Sequence, residues 1–136
     1  MPMTIRQILK ATPNSRHFSS TFVKITKVRV GRHPDTNAPL IRAKSYSTHN
    51  HKGERKKHKP NDYVTTMEVY SGKYVVVSCS CDDFWACWEV ALSKRGAARI
   101  EYSNGERPKE RNPQMIPGCC KHILHLGETL INKGKL

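Results

Sequence analysis

Apolar and polar positions alternate along this chain with two different periods, and each change of period marks a change of element. Thr4 and Gln7 fit a T-x-x-Q capping box that opens a short helix with Ile5, Ile8 and Leu9 on its apolar side, and Pro13 ends it. TFVKITKVRV predicts a strand whose alternation slips: Val23 and Ile25 fall on one face and Val28 and Val30 on the other, so a bulge near Thr26 is expected. HPDTNAP is turn material, and LIRAKSYS predicts a second strand on which Leu40, Arg42, Lys44 and Tyr46 share one face. Two more β-runs, DYVTTMEVY and KYVVVSCSC, flank Ser71-Gly72, which predicts a two-residue hairpin.

The helical period returns in DDFWACWEVALSKRG, where Phe84, Cys87, Trp88, Ala91 and Leu92 make one apolar stripe, with Asp82 or Asp83 as its cap and Gly96 at its end. Cys87 then behaves as a small core hydrophobe. Trp85 falls beside the stripe, placed to face a partner or to cover the edge of a neighbouring site. ARIEYSNGERP carries Ile100 and Tyr102 before Asn104-Gly105, and its polar return with Pro108 predicts only a short or edge hairpin. From Cys120 onward Ile123, Leu126 and Leu130 recur at helical spacing, flanked by Leu124 and Ile131, in a helix expected to end near Gly134. No internal repeat is present. Strands first and helices later predict an α+β fold.

Charge changes the picture, because it divides the chain. Residues 1–60 hold 14 Lys and Arg against two acids, Asp35 and Glu54, whereas residues 61–136 hold 10 against nine. A basic β-rich part (1–60) is therefore joined to a nearly neutral part (61–136), and 136 residues suit one compact unit of both. Such asymmetry predicts a polyanionic partner. The basic candidates are Arg42, Lys44, Lys52, Arg55, Lys56, Lys57 and Lys59, with Tyr46 as a stacking residue, and the densest run is HNHKGERKKHKP. No stretch approaches the ~20 apolar residues of a membrane span, and MPMTIRQILKATPN lacks the apolar run of a signal peptide. An intracellular, cytoplasmic setting is expected, in which disulfides are rare and clustered cysteines point to metal.

All five cysteines lie in two places, VVVSCSCDDFWACWEV and GCCKHILHL. Strand alternation puts Val75, Val77, Cys79 and Cys81 on one buried side, and two sulfurs one residue apart can take two corners of a tetrahedron. A disulfide between them would close a small, strained ring. Pro117 and Gly118 turn the chain, and Cys120 and His122 follow in the first helical turn, where a thiolate is favoured. Cys79, Cys81, Cys120 and His122 would make a closed Cys3His set for one structural zinc ion, with no open position for water. Cys119 would give C-x-x-H, also a ligand spacing, and His125 lies one helical turn beyond His122.

The order C-x-C, spacer, C-x-H resembles the SWIM zinc finger over about residues 63–134, through CSC at 79–81 and CKH at 120–122. The resemblance implies a ββα fold, with a helical insertion here in the long spacer of 38 residues between Cys81 and Cys120. It selects Cys120 over Cys119 and implies binding of DNA or protein without catalysis; His125, whose place would also allow a substitute ligand, is read as a helix-surface or packing residue. GAARIEYSNGERP with PGCCKHI also looks like the small SWIM-bearing proteins of tailed bacteriophages. Hydrolase, zinc-protease, phosphate-loop and deaminase motifs are missing, so no enzyme and no small-molecule substrate are expected. His49, Asn50 and His51 spell HNH only by adjacency. Two functions follow: a zinc-organised module that binds nucleic acid, DNA or RNA, through its basic half, or a structural component of a bacteriophage virion or similar assembly that docks on acidic protein or packaged DNA.

Overall fold

The computed structural model of the chain describes residues 2–50, 52–58 and 60–136. Two short helices come first, α1 (Ile5–Ala11) and α2 (Asn14–Ser20), then β1 (Val23–Arg32), β2 (Pro39–Ser47), β3 (Tyr63–Tyr70) and β4 (Tyr74–Cys79). A π-helical turn, Phe84–Trp88, leads into α3 (Glu89–Ser93), and α4 (Lys121–Asn132) ends the order. The architecture is α+β: one antiparallel sheet in the order β1-β2-β3-β4, with helices against one face. Because β2 pairs with β3 from Leu40↔Glu68 to Ser45↔Tyr63, strands from before and after residue 60 share that sheet.

Local chemistry accounts for most boundaries. The Thr4 hydroxyl accepts from the Gln7 N–H while the Gln7 side chain accepts from the Thr4 N–H, so the capping box forms as expected. The β1–β2 register shifts between Ile25 and Lys27, which returns Val28 to the face of Ile25 and leaves Thr26 as the extra residue. Three residues, Ser71–Lys73, close the β3–β4 hairpin, one more than the dipeptide predicts. Ser71 and Gly72 are both left-handed, with φ of 53° and 71°, and the Lys73 N–H donates to the Tyr70 carbonyl at 3.0 Å.

Alternation then sorts the sheet into two faces. Ile41, Ala43, Met67, Val75, Val77 and Cys79 point inward and are buried, whereas Arg42 and Lys44 are exposed on the other side. Ile5, Ile8 and Leu9 of α1 and Ile123, Leu124, Leu126 and Leu130 of α4 cover the inward face. At Gly127 an added Cβ would lie 2.9 Å from Ile5 Cγ1, so this glycine lets α1 lie close against α4. The free edge of β4 is closed by the chain itself: Val75 N–H donates to the Met3 carbonyl and Val77 N–H to the Ala97 carbonyl. The far part of β1 runs beyond this core, and Val28 and Val30 remain 46% and 69% exposed.

Residues 99–118 form neither helix nor strand, so the expected hairpin at Asn104-Gly105 is absent. Two buried side chains organise this segment in its place. The Glu89 carboxylate accepts from the backbone N–H groups of Tyr102 and Ser103, and Asn112 bonds the Cys87 carbonyl and both backbone groups of Ile116. A polar return strand with Pro108 offers no ladder to compete with these bonds. No helix among the described residues is long and apolar enough to cross a membrane.

Candidate metal centre

Cys79 is the last residue of β4 and Cys81 lies two residues on, past Ser80, whose N–H still donates to the Val64 carbonyl of β3, while Cys120 is the N-cap of α4 and His122 lies in its first turn. Pairing with β3 fixes the first pair: Cys79 sits opposite Thr65, whose hydroxyl donates to its sulfur at 3.5 Å. The second pair is fixed by α4, whose apolar residues anchor it to the sheet. One ligand atom from each of the four residues lies within 4.8 Å of the others, and all four residues are buried. Tetrahedral ligands about 2.3 Å from a central ion stand roughly 3.8 Å apart, so a group gathered within 4.8 Å is compatible with enclosing one.

The chemistry of the donor set fits a metal. Both ring nitrogens of His122 are buried without a hydrogen-bond partner, an arrangement that costs free energy unless something else occupies one of them. The Tyr63 ring packs 4.9 Å from the imidazole, tilted by 46°, and limits how it can turn. Among the sulfurs, burial pushes the Cys79 thiol up, but bonds from Cys120, Cys81 and Thr65 outweigh it and hold Cys79 well below the usual thiol range. Burial beside these two sulfurs pushes Cys120 well above it. The thiols thus share protons among themselves, with one deprotonated far more readily than its neighbours, and a bound divalent cation would supply the positive charge that lets all three stand as thiolates.

The alternatives that sequence leaves open are resolved by what else those residues touch. The Cys119 N–H donates to Thr12 Oγ1 at 3.0 Å and its sulfur lies 3.4 Å from the same oxygen, turned away from the cluster toward the end of α1. Burial pushes its thiol up to about 12, so it stays protonated. His125 Nδ1 lies 3.0 Å from the Ser20 carbonyl and joins α4 to α2. Cys87 belongs to the buried stripe, where burial and the Asp83 carboxylate push its thiol up to about 11.

Around the cluster lies a hollow of about 440 Å³ lined by Arg16, Lys56, Tyr63, Cys81, Asp83 and Lys121, among others. Three thiolates and one divalent ion would leave one net negative charge; Lys56 and Lys121 share the hollow with it, while Arg16 is taken by Asp83. Asp83, expected as a helix cap, makes no capping bond; it takes Arg16 through two bonds, Arg111 at 3.2 Å and the Trp88 indole N–H at 3.2 Å. Arg16 was invisible as part of the surroundings because α2 has no apolar period: it buries Ser19 and Ser20 and leaves Phe18 half exposed. Trp85 does not cover the centre. It is 41% exposed and bonds Asp82 at its own end of the turn.

The predicted basic set does not form one surface. Arg42 and Lys44 line a hollow on the outer face of the sheet with Lys27 and Arg29, and Tyr46 shares that face. Lys56 lies on the metal side, while Lys52, Arg55 and Lys57 project from a small closed turn in which Asn50 Oδ1 accepts from the N–H groups of Lys52 and Glu54. Lys59 and His51 lie outside the described residues. His49 stacks on Phe22 at 4.1 Å, a packing role. Sequence reasoning passed over Lys24, Lys27 and Arg29, although the alternation of β1 beyond its bulge puts them beside Arg42 and Lys44. Comparison of the chain with known protein families, with curated proteins and with solved structures finds no match.

Proposed function

We propose that this chain is a non-catalytic module of SWIM type, in which one structural zinc ion held by Cys79, Cys81, Cys120 and His122 joins the end of a β-hairpin to the start of α4, and whose basic half binds nucleic acid. The observation that carries the metal part is the buried Cys3His group with both imidazole nitrogens unpartnered. A set closed by four protein donors has a structural role, and thiolate-rich sets favour zinc. Support for the nucleic-acid part is the concentration of positive charge before residue 60.

Metal analysis of the purified chain tests the first part, with one zinc per chain expected. Cys120→Ser should lose the ion and loosen α4, whereas Cys119→Ala should retain it. Full zinc content in the Cys120→Ser protein would refute the ligand set. A second reading, a structural component of a bacteriophage particle or comparable assembly, draws on the uncovered edge strand β1 with its exposed Val28 and Val30. Retention of the chain in native particles, with no binding of isolated nucleic acid, would favour that reading.

A further inference from the structure

The register of β1 against β2 places Lys27 directly opposite Lys44 and Arg29 directly opposite Arg42. Like charges across a ladder destabilise it, and here two such pairs follow one another. All four side chains are exposed on the outer face, with exposed Lys24 further along it opposite Tyr46. Among the described residues none of the five has a carboxylate at ion-pair distance; the pairs formed involve Arg16, Arg99, Arg111, His17 and His33. The next strand presents neutral Val64 and Thr66 opposite Lys44 and Arg42. Glu68, the carboxylate on that face of β3, is buried and taken by Arg99, Tyr70 and Thr36. Lys27, Arg29, Arg42, Ala43, Lys44 and Val64 line a shallow hollow of about 240 Å³.

We propose that this outer face of β1 and β2, and not the turn that carries Lys52 and Lys57, is the surface that holds a nucleic-acid backbone; the inference rests on the reading of the chain as a nucleic-acid-binding module. Charges on alternate residues of one strand stand about 7 Å apart, in two rows about 4.8 Å apart, which makes a flat double track of cations. A phosphate chain running over the track neutralises the repulsion that the sheet otherwise carries. The track is dominated by cations, with half-buried Val64 beside it and one half-buried aromatic, Tyr46, at its end. Protein interfaces have an apolar centre, whereas nucleic-acid interfaces are polar and strongly positive.

The test uses the full, zinc-loaded chain and fluorescence anisotropy with single-stranded DNA, single-stranded RNA and duplex DNA of random sequence, at about 50 and about 200 mM salt. Lys27→Gln with Lys44→Gln, and separately Arg29→Gln with Arg42→Gln, should each reduce the slope of log affinity against log salt by about 1.4–1.8, that is 0.7–0.9 per lost contact. Lys52→Gln with Lys57→Gln should leave the slope unchanged. The sheet variants should also melt at the same temperature as the parent or higher at low salt, because each removes a repulsive pair, and should keep their zinc. Lost binding in the loop variant with unchanged binding in both sheet variants would overturn the assignment of the surface and leave the nucleic-acid reading standing. Absence of binding by the parent chain to all three probes at low salt would overturn both.

Discussion

Thr12 is the point at which the first helix reaches the turn that leads into the candidate metal centre, and Thr12→Val isolates what it does there. Its hydroxyl donates to the Ile8 carbonyl at 2.7 Å and accepts from the Cys119 N–H at 3.0 Å, and the residue is 5% exposed. Valine keeps the shape and removes the oxygen. The buried Cys119 N–H then has no acceptor, at a cost of about 1–3 kcal/mol, and the bond to Ile8 is lost for about 1 kcal/mol more. A domain of this length moves in melting temperature by roughly 3–5 °C per kcal/mol, so the variant should melt about 6–20 °C lower. Circular dichroism with excess zinc measures this. Competition with a chromophoric chelator should show weaker zinc binding in the same variant, because the freed turn immediately precedes Cys120. Thr12→Ser keeps the oxygen and should restore both readings. A Thr12→Val protein that melts within about 2 °C of the parent and binds zinc equally well would refute the idea that this hydroxyl holds the ligand turn.

Gly118→Ala should destabilise by about 1–3 kcal/mol in urea unfolding, because its Cβ would lie 2.9 Å from Cζ3 of buried Trp88, and a ring packed in the core has no room to retreat. Burial pushes the Glu68 carboxyl up, but Arg99, Tyr70 and Thr36 outweigh it and hold it below its ordinary value of 4.5. Its contribution is therefore complete above about pH 4.5 and lost as pH falls through the lower folded value; unfolding stability measured against pH should fall less steeply below about 4.5 in Glu68→Gln than in the parent.

Features governed by short-range rules were legible in the sequence. The capping box at Thr4, the slip at Thr26, the inward side of β4 and the stripe from Phe84 to Leu92 each depend on neighbours within one or two turns, and each is found where the pattern puts it. Cys79, Cys81, Cys120 and His122 were legible for the same reason, as two local pairs whose meeting only needs the hairpin and the last helix to pack. What stayed hidden depends on long-range partners. No periodicity announces that Asp83 will hold Arg16 from 67 residues away, or that Glu89 will be fully buried as the anchor of a loop. Helix α2 was missed because its inward side is serine, and the choice between Cys119 and Cys120 turned on a hydroxyl 107 residues away. The split of the basic residues between two surfaces follows from strand direction and a closed turn, neither of which a charge count contains.

The spacer between Cys81 and Cys120 has a consequence for how the chain would respond to being cut or lengthened. Bridged by one ion, those two residues turn the 38 residues between them into a ring. A single nick in the irregular 99–118 stretch would then leave two pieces joined both by the ion and by the packing of α4 on the sheet, so that separating them under denaturing conditions reports on whether the ion is held. Ring size is also a loose variable, since doubling a flexible loop adds only about 0.6 kcal/mol to its closure. A peptide tag grafted between Gly105 and Pro108, where the chain is exposed and bonded mainly to itself, should leave both halves of the centre in register.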